Sequence, residues 1–362
     1  MATETAPAPV VQEDERVRRG GALSRLLSRP ELGALVGVVL VYVFFAIVAA
    51  DHNFVSFPTL ASILNRAAPL GILAVAVALL MIAGEFDLSI GSILGFAGMA
   101  ILILVTSPDD GGYGLALWPA VGIAIVLASF TGVVNGVLVN LTKLPSFIIT
   151  LGTLFIFRGL TIAVTRALTN RTQLSGLDEV SRDVPRPGFD LAHTLFGIKV
   201  EVLGGRFDIA ILWWIGLAAL ATWILLRTRQ GNWIFGTGGA VDAARNVGVP
   251  VNRVKLTLFV TTAVAASLVA LIQVVQTNSA DTLRGAGLEF EAIIAAVVGG
   301  CLLTGGYGSV VGAALGALIF AMTRQGIVIT GIDGDWYQVV LGTVLVVAVI
   351  FNNFVRKKAA AR

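Results

Sequence analysis

Charge is what this chain has least of. Only 13% of its 362 residues are Asp, Glu, Lys or Arg, against roughly 25% in a soluble domain. Hydrophobic residues make up 56% and the mean hydropathy is +0.89. So few charges cannot clothe a water-facing surface, and the composition predicts an all-α polytopic membrane protein. Cysteine is almost missing: Cys301 stands alone inside an apolar run, which excludes a disulfide framework and any cysteine-based zinc site. The two histidines, His52 and His193, lie in separate polar connections. They are too few for metal or triad chemistry, so neither a catalytic residue nor a metal site is expected. The chain has no Gly-x-x-x-x-Gly-Lys-[Ser/Thr] and hence no visible phosphate cradle of its own. The first 30 residues lack an apolar stretch with a small-residue cleavage site, so no cleaved signal peptide is predicted. They read as a polar tail, disordered up to about Gly20.

Apolar sequence, by contrast, is plentiful and regularly interrupted. Charge-free runs of crossing length, about 20 residues, fall near 33–50, 64–83, 88–106, 116–141, 145–165, 209–226, 256–277, 286–303, 309–330 and 336–354. The eighth is the weakest, because Glu289 and Glu291 stand at its start. Basic residues orient these runs. Arg16, Arg18, Arg19, Arg25 and Arg29 place the N-terminus in the cytoplasm, and ten crossings return Arg356, Lys357 and Lys358 to the same side. Arg227, Arg229, Arg245, Arg253 and Lys255 also land inside; Asp51, Asp109, Asp110, Asp333 and Asp335 land outside. A single crossing over 292–323 would put Arg356, Lys357 and Lys358 outside, so the charge pattern favours two. The resulting organisation is a cytoplasmic tail over 1–30, a transmembrane domain over 31–355 and a second cytoplasmic tail over 356–362. A charge-balanced loop containing Pro185 and Pro187 lies outside at 166–208, either as a lid over the helix ends or as a contact for an external partner. A basic connection lies inside at 228–255.

Two islands interrupt the apolar runs. One is Gly84-Glu85-Phe86-Asp87-Leu88-Ser89-Ile90-Gly91-Ser92; the other runs from Gly299 and Gly300 through Cys301 to Gly305, Gly306 and Gly308. Irregular backbone near membrane depth must be buried in protein or line a wet cavity, so both islands point to a pathway. Intramembrane acids often mark ion routes, yet Asp87 stands where it can cap the third helix. Glycines recur four residues apart at Gly91/Gly95, Gly132/Gly136 and Gly308/Gly312/Gly316, a spacing that lets membrane helices pack closely. Gly91–Gly95 and Gly308–Gly312 echo one another, which hints at an internal duplication, inverted if each half has an odd number of spans. Arg158 and Arg324 lie in apolar runs and either snorkel to the interface or face the translocation path. Asn135, Gln273, Gln276 and Gln325 are further polar residues able to contact a hydroxylated solute.

The basic connection is the most specific feature. Val241, Asp242, Ala243, Ala244, Arg245 and Asn246 can form a short helix, stopped by Gly248 and Pro250. By spacing alone this is either a docking knob for a cytoplasmic partner or an interfacial turn. Asp242-Ala243-Ala244-x-x-x-Gly248 resembles the Glu-Ala-Ala-x-x-x-Gly loop of ABC importer permeases, with Asp in place of Glu. The chain is similar above all to the ribose/xylose/fructose-type sugar permeases. The matching segments are Gly84 through Ser92; Asn135-Gly136 and Pro145-Ser146-Phe147-Ile148-Ile149-Thr150-Leu151-Gly152-Thr153, then Arg158-Gly159; and Glu289 through Gly300, then Gly305-Gly306-Tyr307-Gly308.

The resemblance spans about residues 60–355 and is least marked over 166–208. It implies a membrane permease, not an enzyme, that passes a pentose, hexose or related polyol inward by alternating access. Its implied partners are ABC ATPase subunits, an extracytoplasmic sugar-binding protein, a second permease copy and membrane lipid, with no nucleic acid. ATP and Mg would be bound by the partner ATPase, no cofactor by this chain. Residues 241–248 would couple to the ATPase. Two rivals stay open on the residues: an ion-coupled secondary transporter using Glu85 or Asp87, and a membrane scaffold without transport activity.

Overall fold

The computed structural model describes residues 30–176, 188–344, 346, 347 and 350. The expected tails over 1–30 (all but Pro30) and 356–362, and the part of the long loop holding Pro185 and Pro187, lie outside the described residues. Within them the chain is built from helices: α1 (Pro30–Val48), α2 (Phe57–Ile82), α3 (Ile90–Val105), α4 (Leu117–Thr142), α5 (Ser146–Thr169), α6 (Ala210–Arg227), α7 (Arg229–Gly239), α8 (Val241–Asn246), α9 (Val251–Thr277), α10 (Leu288–Val298) and α11 (Val310–Ile329). Residues 336–344 form a further helix. Four short strands, β1 (Gln173–Ser175), β2 (Lys199–Val202), β3 (Gly205–Asp208) and β4 (Ser279–Asp281), pair as β1 with β4 and as a β2–β3 hairpin.

Local chemistry sets the helix ends. Ser56 Oγ accepts from Thr59 N at the start of α2, with Pro58 in the first turn where its missing N–H costs nothing. Ser309 Oγ accepts from Gly312 N and begins α11 in the same way. At their C-terminal ends α4, α5 and α9 are closed by left-handed Lys143, Asn170 and Asn278. Asparagine tolerates that conformation better than most residues.

The helices alternate in direction. One end of the bundle carries the β2–β3 hairpin and the β1–β4 pair, which joins the ends of α5 and α9. Asn65 Nδ2 donates to Arg206 O and its Oδ1 accepts from Asp208 N, seating the hairpin on α2. The opposite, basic end carries Lys143, Arg227, Arg229, Arg253 and Lys255 with the short helix α8.

From Ala67 to Ile82 helix α2 is apolar on every side and forms the core, with 78% of its apolar window buried, beside α9 at 67%. Such all-round apolar sequence belongs in an interior. On the periphery α1 is only 11% and α5 22% buried, and their exposed residues are Leu, Val, Ile and Phe, as lipid requires. Among the described residues seven helices (α1, α2, α4, α5, α6, α9 and α11) are long and apolar enough to cross a membrane, and α3 is a shorter apolar helix.

The eighth expected span takes a different form. Helix α10 has 11 residues and rises roughly 16 Å, about half of a hydrocarbon core. The chain before it is non-helical and runs along α3, with Ala280 beside Gly98, Arg284 O beside Gly95 and Gly285 O beside Gly91. Gly285 and Gly287 hold φ of +93° and +88° before α10 and Gly300 holds +94° just past its end, so the helix is shorter than the 286–303 run the sequence suggested.

The recurring glycines all face other segments of this chain. A Cβ on Gly132 would stand 2.5 Å from Phe259 O and 2.8 Å from Val260 Cα of α9; Gly312 and Gly316 press on Gly299 and Ala295 of α10. These contacts are with backbone, which cannot turn aside. Gly132→Leu should therefore destabilise the fold by about 1–3 kcal/mol or more. Gly122→Leu on the same helix, where nothing lies within 4 Å, should be neutral. Thermal unfolding of the two variants in detergent checks the contrast.

Candidate functional site

At the basic end, α6 turns sharply into α7. Thr228 Oγ1 accepts from Gly231 N at 3.3 Å, and Gly231 lies too close to Leu225 O to carry a side chain. After Gly239 the extended Ala240 releases the chain into α8. Three backbone bonds close it: Val247 N to Ala243 O, Gly248 N to Arg245 O and Val249 N to Ala244 O. Gly248 then turns the chain at φ +86° into Pro250 and α9. Val241, Asp242, Ala243, Arg245, Asn246 and Gly248 are all at least partly exposed; Ala244 alone of these residues is buried, with Gly236 beneath it. Asp242 is 94% exposed and only loosely paired with Arg245, at 3.7 Å. The helix is thus a rigid knob, anchored by its backbone and one methyl group, with its other side chains free to meet another surface.

Behind it lies a polar junction. Asp87, wholly buried, accepts from Ser89 N (2.9 Å), Ser89 Oγ (2.5 Å) and Thr262 Oγ1 (2.6 Å). It stands before α3 as the sequence led us to expect, but the N-cap position itself is Ser89, and the carboxylate also reaches α9 through Thr262. Asn135, buried in α4, donates to Ser89 Oγ and accepts from Thr153 Oγ1 of α5, each at 2.8 Å. Its amide is therefore occupied within the chain. Glu85 forms a nearly buried ion pair with Lys255.

Each expected arginine has an acid. Arg158 of α5 lies 3.5 Å from Glu289, which is 2% exposed and also accepts from Gly287 N at the start of α10. The buried Nη2 of Arg158 forms no hydrogen bond, so charge alone holds the pair. Arg324 of α11 lies 4.0 Å from Glu291 and stacks over the Tyr337 ring. Gln325 accepts from Arg66 Nε. On α9, Gln276 Nε2 donates to Phe196 O and lines a cavity of about 490 Å³ with Phe189, His193, Lys199 and Asn278. The buried Oε1 of Gln273 has no hydrogen-bond partner. The candidates are thus spread over the bundle rather than gathered in one constellation.

The glycine islands do meet. Gly84 and Gly305 approach each other and Gly238, Gly306 lies against Gly239, and Gly306 N donates to Ile82 O at 2.8 Å. Gly299 packs on Gly312, Gly300 turns the chain at φ +94°, and Gly91 faces Glu289. Gly308 has no room for a side chain beside Cys301, itself buried, and Ile82. Sequence reasoning missed Lys255, Ser146, Thr150 and Thr262 as partners of the acidic island, and Gly238 and Gly239 as partners of the other. A signal did exist for the ion pairs: two arginines and two glutamates in or beside apolar runs call for mutual neutralisation. Among the described residues no three His, Cys, Asp or Glu are placed to hold a metal ion.

Comparison with known proteins agrees with this architecture. Residues 59–349 match the family described as branched-chain amino acid transport system / permease component. The autoinducer 2 import system permease protein LsrC of Photorhabdus laumondii is 30% identical, covering 92% of each chain. The ribose import permease protein RbsC of Escherichia coli K12 is 30% identical over 87% of this chain and 92% of its own. A probable ABC transporter permease protein of the same strain, YphD, is 31% identical over 94% and 95%. No solved structure matches the chain. The chain belongs to the permeases of binding-protein-dependent ABC importers, in the branch of the sugar permeases, and is a multi-pass inner-membrane component rather than an enzyme.

Proposed function

We propose that this permease carries a neutral monosaccharide, a pentose or hexose or a related polyol, into the cell by alternating access. A second copy of the chain completes the pathway within the lipid bilayer, two ABC ATPase subunits bind ATP and Mg²⁺, and a sugar-binding protein delivers the cargo from outside. About ten crossings place both termini, α7 and α8 in the cytoplasm, as the positive-inside rule favours, and leave the β2–β3 hairpin outside. Helix α8 is the ATPase dock. The observation that carries this reading is the exposed, backbone-anchored knob Val241–Asn246 at the basic end of the bundle. The ribose cargo in the name of RbsC supports the substrate class. An ion-coupled mechanism has less support, because Glu85 is neutralised by Lys255, and Asp87 is engaged by Ser89 and Thr262.

Proteoliposomes holding the permease, its ATPase and its binding protein should take up labelled sugar only with ATP inside the ATPase-facing compartment, and ionophores should not stop them. Uptake that collapses with the ion gradient and ignores ATP would overturn the reading. Thermal shift of the binding protein against pentoses, hexoses and polyols names the cargo through mass action.

Ala243 is exposed, so Ala243→Trp should leave folding and membrane insertion unchanged. It should weaken ATPase binding on the order of tenfold or more, the scale of one interface hot spot, and reduce uptake with it. Co-purification with the ATPase measures the effect. Gly248→Val, which forces a β-branched residue to φ +86°, should distort the same turn and give the same phenotype.

A further inference from the structure

Both flanks of α8 are fastened to one short, non-helical segment. On the N-terminal side, Gly238 packs against Ile82 O, leaving no room for a side chain, and its Cα lies in contact range of Gly84. On the C-terminal side, Lys255 of α9 forms its ion pair with Glu85. The same segment then reaches into the membrane-spanning helices by hydrogen bonds. Phe86 N donates to Ser146 Oγ (2.9 Å) and Leu88 N to Thr150 Oγ1 (3.1 Å), both on α5. Asp87 holds Thr262 of α9, and Ser89 holds Asn135 of α4, which holds Thr153 of α5. The segment also carries the Gly84–Gly305 contact, so the loop between α10 and α11 is joined to it.

From this wiring we infer that residues 82–89 are the transmission segment of the transporter, converting movement of α8 into movement of α5 and of the 299–309 loop. The inference rests on the proposed reading of α8 as the ATPase dock. Three properties suit the segment to the task. Between Glu85, whose amide still bonds back to Leu80 O, and Ser89, whose carbonyl accepts from Ile93 N, its amides make no helical bond, so Phe86–Leu88 can shift without unwinding a helix. Its glycine contacts are backbone on backbone and have no interlocking side chains to resist sliding. Its directional holds are a single ion pair and a few hydroxyl, amide and carboxylate bonds, which can exchange partners between two arrangements. Physical coupling between distant sites requires such a discrete, two-arrangement element. Glu85 and Thr150 are therefore positioning residues, acting through their neighbours and not on the solute.

The test is the number of sugar molecules transported per ATP hydrolysed, measured in the reconstituted complex. Thr150→Val removes, at nearly constant volume, the hydroxyl that accepts from Leu88 N and donates to Phe86 O and to Ser146 O within its own helix. Lys255→Met breaks the ion pair, and the exchange Glu85→Lys with Lys255→Glu rebuilds it. Thr150→Val and Lys255→Met should keep hydrolysis going while transport per ATP falls roughly tenfold, and the exchange should recover part of the loss. Hydrolysis and uptake falling in equal proportion would mean a merely structural role and would overturn the inference, as would an unchanged ratio in Thr150→Val. Lys255→Met leaves Glu85 buried and unpaired and risks misfolding, so Thr150→Val decides the matter if that variant is lost. A wild-type complex without ATP-driven uptake would instead overturn the importer reading itself.

Discussion

A peptide group that leaves a helix inside a bilayer must find its partner in the protein, because lipid offers none. Much of this fold follows from that constraint. Three stretches depart from helical geometry at or near membrane depth: 83–89, 278–287 and 299–309. Helix glycines face 278–287 and 299–309, so that their carbonyls touch other backbone directly, while the amides of Phe86 and Leu88 in 83–89 are taken up by hydroxyls of α5. Gly91 and Gly95 of α3 admit the stretch before α10, and Gly312 of α11 admits Gly299. Glycine is abundant here, at 41 residues, because close backbone approach replaces the water that would otherwise solvate the breaks.

The helices themselves were readable from the sequence because apolar runs and membrane-spanning helices share one length scale. The short helix α8 was readable too, since Gly248 and Pro250 mark its end and nothing apolar obscures it. Three kinds of feature were not. The half-length α10 was expected as one run over 286–303, because the positive φ of Gly287 and Gly300 that bounds it leaves no trace in hydropathy. The polar partners were hidden by distance along the chain: Glu85 and Lys255 lie 170 residues apart, and composition says nothing of which acid meets which base. Asn135 and Arg158 stand out as polar residues in apolar runs, but a single sequence cannot tell an internal tie from a pathway-lining group.

The structure separates two kinds of polar chemistry. At the basic end, charges are exposed, loosely paired and available to a partner, as on α8. Within the bundle they are matched, Arg158 to Glu289 and Arg324 to Glu291, both joining α10 to its neighbours. A half-length helix lacks the packing area of a full span, and opposite charges at its first turn supply a specific hold on two sides. The Arg158 contact joins it to α5, a helix otherwise mostly exposed, so the pair links the least covered part of the bundle to its interior.

The lone thiol carries a practical consequence. Cys301 is completely buried between Gly308 and the backbone around Ser309. A thiol so enclosed is out of reach of a reagent in water, and a buried cysteine in apolar surroundings is inert. The unaltered chain is thus silent toward water-soluble maleimides. A single cysteine introduced on either face would report its own accessibility against no background, so sidedness can be mapped without first stripping the protein of its native residue.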